Sequence, residues 1–221
     1  ISLGLVGSEM CIRDRSYYGM LKATEDYLAD VKLKKIKKLS KDADSAELKK
    51  ILSIRTRADK IMVKDAKLRT FITQDDSRDE MVAHVYDITY GSIKRKSDSI
   101  VVIDDSIVRG TTLKHSVIRI LDRLEPKKII IVSSAPQIRY PDCYGIDMAK
   151  LGDFIAFQAA IALLKEKGKI SLLDVVYKKC KQQEGMDKNE IKNFVKEIYA
   201  PFSYTEVSEK IAQLLTHKDI S

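Results

Sequence analysis

Asp104 and Asp105 are followed at once by Ser106, and then by Arg109, Gly110, Thr111 and Thr112. Three hydroxyls, a fixed positive charge and a glycine in so short a stretch suit an anion with several oxygens. The hydroxyls and the guanidinium donate hydrogen bonds, and the glycine lets backbone N–H groups come close. The two carboxylates cannot hold a phosphate directly. They suit a sugar diol or a hard cation such as Mg²⁺. The ligand implied by these residue types is a sugar phosphate, with its phosphate in the loop and its hydroxyls on the acids. The loop is not a P-loop, because the G-x-x-x-x-G-K-[ST] pattern and its lysine are absent. An Asp-Asp-Ser turn that merely caps a helix is common, but a cap does not need Arg109, Gly110 and two threonines.

Such a loop must be carried by rigid elements. Ile100-Val101-Val102-Ile103 precedes it, an unbroken β-branched run that predicts a strand buried on both faces of a parallel sheet. Leu113, Val117, Leu121 and Leu124 come after it at helical spacing, and Pro126 stops that helix. Lys128 to Val132 predicts the next strand, which completes a βαβ unit of about the usual ~30 residues. The order strand, acidic pair, loop, helix puts the loop at the tip of a parallel strand and at a helix N-terminus. Both are places where α/β proteins bind anions.

The stretch S-I-V-V-I-D-D-S-I-V-R-G-T-T from Ser99 to Thr112 resembles the phosphoribosyl pyrophosphate (PRPP) motif of type I phosphoribosyltransferases. Its particular form is similar to that of the glutamine-dependent amidophosphoribosyltransferase family. A second block, S-S-A-P-Q-I-R-Y-P-D-C-Y-G-I-D-M from Ser133 to Met148, resembles that family's segment after the following strand. The similarity extends more loosely from about Ser16 to the end of the chain. It implies an α/β fold with a type I phosphoribosyltransferase-like parallel sheet flanked by helices and a helical C-terminal extension.

The resemblance also implies roles. Ser106, Arg109, Gly110, Thr111 and Thr112 would hold the 5′-phosphate of PRPP. Asp104 and Asp105 would hold the ribose hydroxyls and Mg²⁺. Leu68-Arg69-Thr70-Phe71-Ile72 is similar to the start of the family's catalytic loop, so Arg69 would cover the pyrophosphate, with Arg78 second. The segment Asp75 to Glu80 is acidic where the family's loop is basic, so nothing past Ile72 is carried over. Arg139 and Tyr140 are candidate contacts to substrate or nucleotide, with Asp147 orienting them. The reaction implied joins ammonia, released from glutamine in an N-terminal glutaminase domain missing here, to PRPP, in purine biosynthesis. Purine nucleotide inhibitors and a homo-oligomer belong to the same expectation. Two alternatives stay open: a base-salvage phosphoribosyltransferase, or a non-catalytic PRPP-binding regulatory module acting on RNA.

The rest of the chain sets bounds. With 221 residues, 44% hydrophobic and 33% charged, it has the composition of an ordinary soluble protein. The net charge of +8 falls on lysines spread over helices, without tryptophan or aromatic-basic interleaving, so no nucleic-acid partner is expected. The lysine-rich patch Lys32 to Lys38 reads as a solvated helix face. Cys11, Cys143 and Cys180 are widely spaced, with no metal framework, which favours a reducing, cytoplasmic setting. No run approaches the ~18 apolar residues of a membrane span. Residues 1–15 share no period with the stretch beginning at Ser16 and read as a non-native linker or artefact, so Cys11 is not assigned as a glutaminase nucleophile. His84, among apolar neighbours, reads as a core residue. The domain expected spans 16–167, with a helical insertion at about 24–58, and 168–221 forms the helical C-terminal region. Phe154, Phe157, Ala160, Ile161 and Leu164 predict one face of a helix over 151–167. Further helices are expected near 171–184, 187–198 and 204–216.

Overall fold

The computed structural model describes residues 9–39, 44–58, 61–64, 86–89, 91–142, 148, 150–187 and 189–216. The chain is a mixed α/β protein whose residues group into two compact units. The first comprises Ile1–Ile72, His84–Asp105 and Pro126–Ser134, and the second comprises Thr73–Ala83, Ser106–Glu125 and Ala135–Ser221.

The first unit begins with α1 (Glu9–Ile36) and α2 (Ser45–Leu52). Helix α1 starts at Glu9 and runs through Ser16 without interruption. The stretch holds no proline, and its single glycine, Gly19, is tolerated in a helix of 28 residues. Lys34 and Lys35 lie exposed in its last turn, where they complement the helix dipole. Two short strands, β1 (Met62–Lys64) and β2 (Tyr86–Ile88), pair antiparallel.

The strands that carry the acidic pair are β3 (Ser99–Asp104) and β4 (Lys128–Ser133), and they pair in parallel from Ser99↔Lys128 to Asp104↔Ser133. Both are β-branched runs, which fit a pleated surface. The expectation of burial on both faces needs correction. Ile100 is buried at 4% exposure, whereas Val101, Ile130 and Val132 on the opposite face are 43%, 37% and 39% exposed. A sheet of two strands has one face covered here, and its alternation shows it. The start of β3 is fixed by Asp98, whose carboxylate accepts from the Lys94 amide and from Arg57 at 2.7 Å. The Lys94 amide, then Arg57, hold that carboxyl below its ordinary range.

The second unit holds the larger apolar core. After the loop, a π-helical turn, Leu113–Val117, leads into α3 (Ile118–Asp122). Then come a 3₁₀ turn at Leu151–Asp153, α4 (Ile155–Glu166), α5 (Leu172–Lys181), α6 (Lys196–Tyr199) and α7 (Tyr204–Leu215). The core is built from Ala159, Ala160, Leu163 and Leu164 of α4, Val176, Ile198, Tyr199, Phe202 and Val207. Of the predicted apolar face, Phe154, Ala160 and Leu164 are fully buried, and the buried surface widens to one side. Ala156, Ala159 and Leu163 are buried, while Phe157 and Ile161 are only half-buried. The helix predicted over 187–198 shrinks to α6, because the Gln183 side chain pairs with both backbone groups of Lys192 at 2.9 and 2.6 Å.

Helices α4 and α7 run antiparallel. Lys210 pairs with Glu166 at 2.6 Å and Lys167 with Glu206 at 2.7 Å, while Ile155 and Leu215 meet at the other end around Gly110. Helix α7 opens with a capping box in which Ser203 and Glu206 satisfy each other's backbone amides. The Lys167 ammonium first, and then the Ser203 amide and hydroxyl, lower the Glu206 carboxyl to about 2. Since the folded value lies below the ordinary 4.5, the contribution of Glu206 is complete above about pH 4.5 and is lost as pH falls toward 2. In a melting series over pH, the parent is expected to exceed Glu206→Gln near neutrality, with the gap closing at about pH 2. Equal melting temperatures at neutral pH would contradict this anchoring.

Candidate functional site

The acidic pair closes the first unit, and the hydroxyl loop begins the next segment of the second, joined to it by the Asp105–Ser106 peptide. On the first side, the parallel register brings Asp104 level with Ser133 at one end of the sheet. The Ser134 amide donates to the Asp104 carbonyl at 2.9 Å, and the Ser134 hydroxyl donates to the Asp105 carbonyl at 3.0 Å. The Asp104 carboxylate accepts from the Asp105 amide at 3.0 Å. These bonds fix the backbone of both acids, and both side chains remain half-buried rather than sealed. A pair of adjacent hard carboxylates fits the role of binding ribose hydroxyls or part of the shell of a hydrated divalent cation. Among the described residues no cluster of three or more His, Cys, Asp or Glu stands ready to cage a metal by itself.

On the second side, the loop is held at several points. Gly110 sits in the left-handed region at φ +73°, which glycine adopts without the strain other residues suffer. Its carbonyl accepts from the Lys114 amide at 2.9 Å, so the chain is already winding into a helix. The Ile155 amide donates to the Val108 carbonyl at 2.9 Å. Arg109 Nε lies 3.9 Å from Asp153 Oδ2, with both side chains half-exposed. Thr111 and Thr112 are exposed in the first helical turn, and Thr112 makes no capping bond to the helix. The first amides of a helix have no intrahelical acceptor, so exposed threonines beside them form a donor-rich rim. The π-helical turn that comes next is a deviation found often beside binding sites.

The described residues of the second block are tied to one another and to the C-terminal helices. The Arg139 guanidinium donates to Gln137 Oε1 from Nε at 3.0 Å and from Nη2 at 2.7 Å. It also lies 4.8 Å from the Tyr199 ring centroid and 5.7 Å from that of Tyr204. Tyr140 meets Tyr199 edge to face at 5.9 Å. The Tyr199 hydroxyl donates to the Arg139 carbonyl at 3.2 Å, and burial raises its pKa, keeping it protonated as a donor. Gln137 orients Arg139. The guanidinium of Arg139 is thus engaged in packing this loop onto α6 and α7. Asp147, Arg69, Arg78, His84 and Cys143 lie outside the described residues. Cys180, in α5, is a free thiol.

Periodicity alone does not reveal Asp153, Ile155, Gln137, Tyr204 or Leu215 as neighbours of these loops. Asp153 and Leu215 are far from Gly110 in sequence, and each has an ordinary place in a helical pattern.

The chain is therefore an α/β protein with an acidic pair at a strand end, followed in sequence by a donor-rich loop that leads into a helix. No family model matches the chain. Part of it is similar to amidophosphoribosyltransferase of Pasteurella multocida (strain Pm70), 44% identical over 62 residues, or 28% of this chain and 12% of that protein. The corresponding figures for amidophosphoribosyltransferase of Saccharomyces cerevisiae are 39% over 62 residues, 28% and 12%. The protein of the same name from Pyrococcus horikoshii is 36% identical over 72 residues, 33% of this chain and 16% of that protein. The matched stretch thus spans about one eighth of the first of these relatives. No described helix is long and apolar enough to cross a membrane.

Proposed function

We propose that this chain is the PRPP-binding part of a glutamine-dependent amidophosphoribosyltransferase that forms 5-phosphoribosylamine in purine biosynthesis. The observation that carries this reading is the fixed strand-end pair Asp104-Asp105 running directly into a loop whose Gly110 turn starts a helix. The partial similarity to amidophosphoribosyltransferases supports it.

In the proposed reaction the 5′-phosphate is held by Ser106, Thr111 and Thr112, by loop amides freed by Gly110, and by the charge of Arg109. Asp104 and Asp105 hold the ribose hydroxyls. Mg²⁺, when bound with PRPP, would neutralise the pyrophosphate and so ease its departure. Ammonia attacks C1, the C1–O bond to pyrophosphate breaks with its electron pair on oxygen, and the new C–N bond forms as nitrogen loses a proton. The acids near the ring favour the positive charge that develops at C1. Arg69 is proposed, on resemblance alone, to cover the pyrophosphate. The work of the chain is positioning and electrostatics, with no covalent intermediate on a side chain.

The test is pyrophosphate release from PRPP by the full-length protein that contains this chain. Release that depends on ammonia or glutamine is expected. Release that depends on a free purine or pyrimidine base would replace this reading with base salvage. Tight PRPP binding without turnover under either condition would replace it with a regulatory module.

A further inference from the structure

Helix α7 touches both loops of the second unit. At its C-terminal end Leu215, 3% exposed, lies directly over Gly110: a Cβ on Gly110 would stand 2.6 Å from Leu215 Cδ2 and 3.7 Å from Ile155 Cγ1. The first distance is well inside van der Waals contact, so Leu215 occupies the space that any side chain at 110 would need. At its N-terminal end Tyr204 and Ser208 hold the other loop. Gln137 Nε2 donates to the Tyr204 carbonyl at 2.9 Å and to the Ser208 hydroxyl at 2.7 Å, and the Gln137 amide donates to the Tyr204 hydroxyl at 3.2 Å. The 12 residues from Tyr204 to Leu215 form one uninterrupted helix, a rod of roughly 18 Å at ~1.5 Å per residue. That rod is tied along its length to α4 by two ion pairs, Lys167–Glu206 and Lys210–Glu166.

We infer that α7 is a positioning strut for the anion loop, with Leu215 as the positioning residue that seats the Gly110 turn and Gln137 as the tie that fixes the strut to the loop after β4. This deepens the proposed function and rests on it for the identity of the ligand. The physical reason is simple. A left-handed glycine in a loop has many alternative conformations, and donors that must converge on one phosphate lose affinity if the loop samples them. A packed leucine over the turn removes those alternatives before the ligand arrives. A side chain at 110 would meet the strain of the left-handed φ and would also have to displace the Leu215 methyl.

The test combines amide hydrogen exchange, read residue by residue by NMR on the chain without ligand, with titration of PRPP and Mg²⁺. Leu215→Ala is expected to speed exchange at the Lys114 and Ile155 amides about tenfold or more, with α5 amides unchanged, and to weaken PRPP about tenfold. Leu215→Met, which conserves volume, is expected to restore both. Gln137→Ala is expected to weaken PRPP without touching the loop directly. Uniform acceleration across α4, α5 and α7 would make Leu215 only a core residue and overturn the proposal. So would local acceleration with PRPP affinity unchanged. If the parent chain itself fails to bind PRPP, the ligand assignment falls, and the exchange data still decide whether Leu215 seats the turn.

Discussion

Asp104→Ala is expected to weaken PRPP binding by about 10- to 100-fold while the melting temperature stays close to that of the parent. The size follows from losing a hydrogen bond to a charged group, worth about 1.5–3 kcal/mol. The small stability effect follows from geometry. The carboxylate of Asp104 is half-buried and accepts from the Asp105 amide, the next residue along the chain. The bonds that hold the strand ends together run through its carbonyl and that of Asp105, and alanine keeps both. Asp104→Asn is expected to fall between alanine and the parent, since it preserves shape and loses charge. Binding by Asp104→Ala equal to that of the parent would remove this residue from the site.

The largest effect on stability is expected at Phe154→Ala. Phe154 is fully buried at the start of α4, beside Ile155, whose amide holds Val108. Removing a buried phenyl ring costs about 3–5 kcal/mol through lost transfer energy and the cavity left behind. For a chain of this size that is a fall of about 6–20 °C in melting temperature. Phe157, on the half-buried flank of the same helix, is the internal control. Phe157→Ala is expected to cost less than half as much. A chemical-denaturation series that gave the two variants equal losses would contradict the orientation assigned to α4.

That pair of phenylalanines also shows where sequence reasoning stops. The run 151–167 reads as an amphipathic helix, and a helix is there with Phe154, Ala160 and Leu164 of the expected face fully buried. The sequence does not show that Ala156, Ala159 and Leu163 join them while Phe157 and Ile161 lie at the flank, because all of these residues are apolar. The parallel strands were legible, because Ile100 to Ile103 and Ile129 to Val132 are β-branched runs of strand length with turn residues at each end. β2 was not, since Tyr-Asp-Ile is too short to show alternation. The helix expected over 187–198 failed through long-range chemistry. Gly185 takes φ +86°, and Gln183 supplies side-chain bonds to Lys192 that compete with helical ones.

The loop chemistry was legible for a different reason. Asp104 to Thr112 are contiguous, so residue type and order already specify acids, turn and donors. The supports of that loop are not contiguous. Nothing local marks Leu215 as the neighbour of Gly110, or Tyr204 and Ser208 as the partners of Gln137, because those contacts are made by α7, far along the chain. Arg139 is a candidate ligand contact by its place beside a tyrosine in a loop, and the structure adds that its guanidinium pairs with Gln137 and lies over two tyrosine rings.

The central claim is that the loop from Ser106 to Thr112 receives the 5′-phosphate of PRPP. Phosphorus NMR of PRPP tests it most directly, because the 5′-phosphate and the two pyrophosphate phosphorus atoms give separate signals. Adding the chain with Mg²⁺ is expected to shift or broaden the 5′-phosphate signal, and the double variant Thr111→Val/Thr112→Val is expected to return that signal toward its free position. A 5′-phosphate signal that stays at its free position in the presence of the folded parent chain would contradict the account.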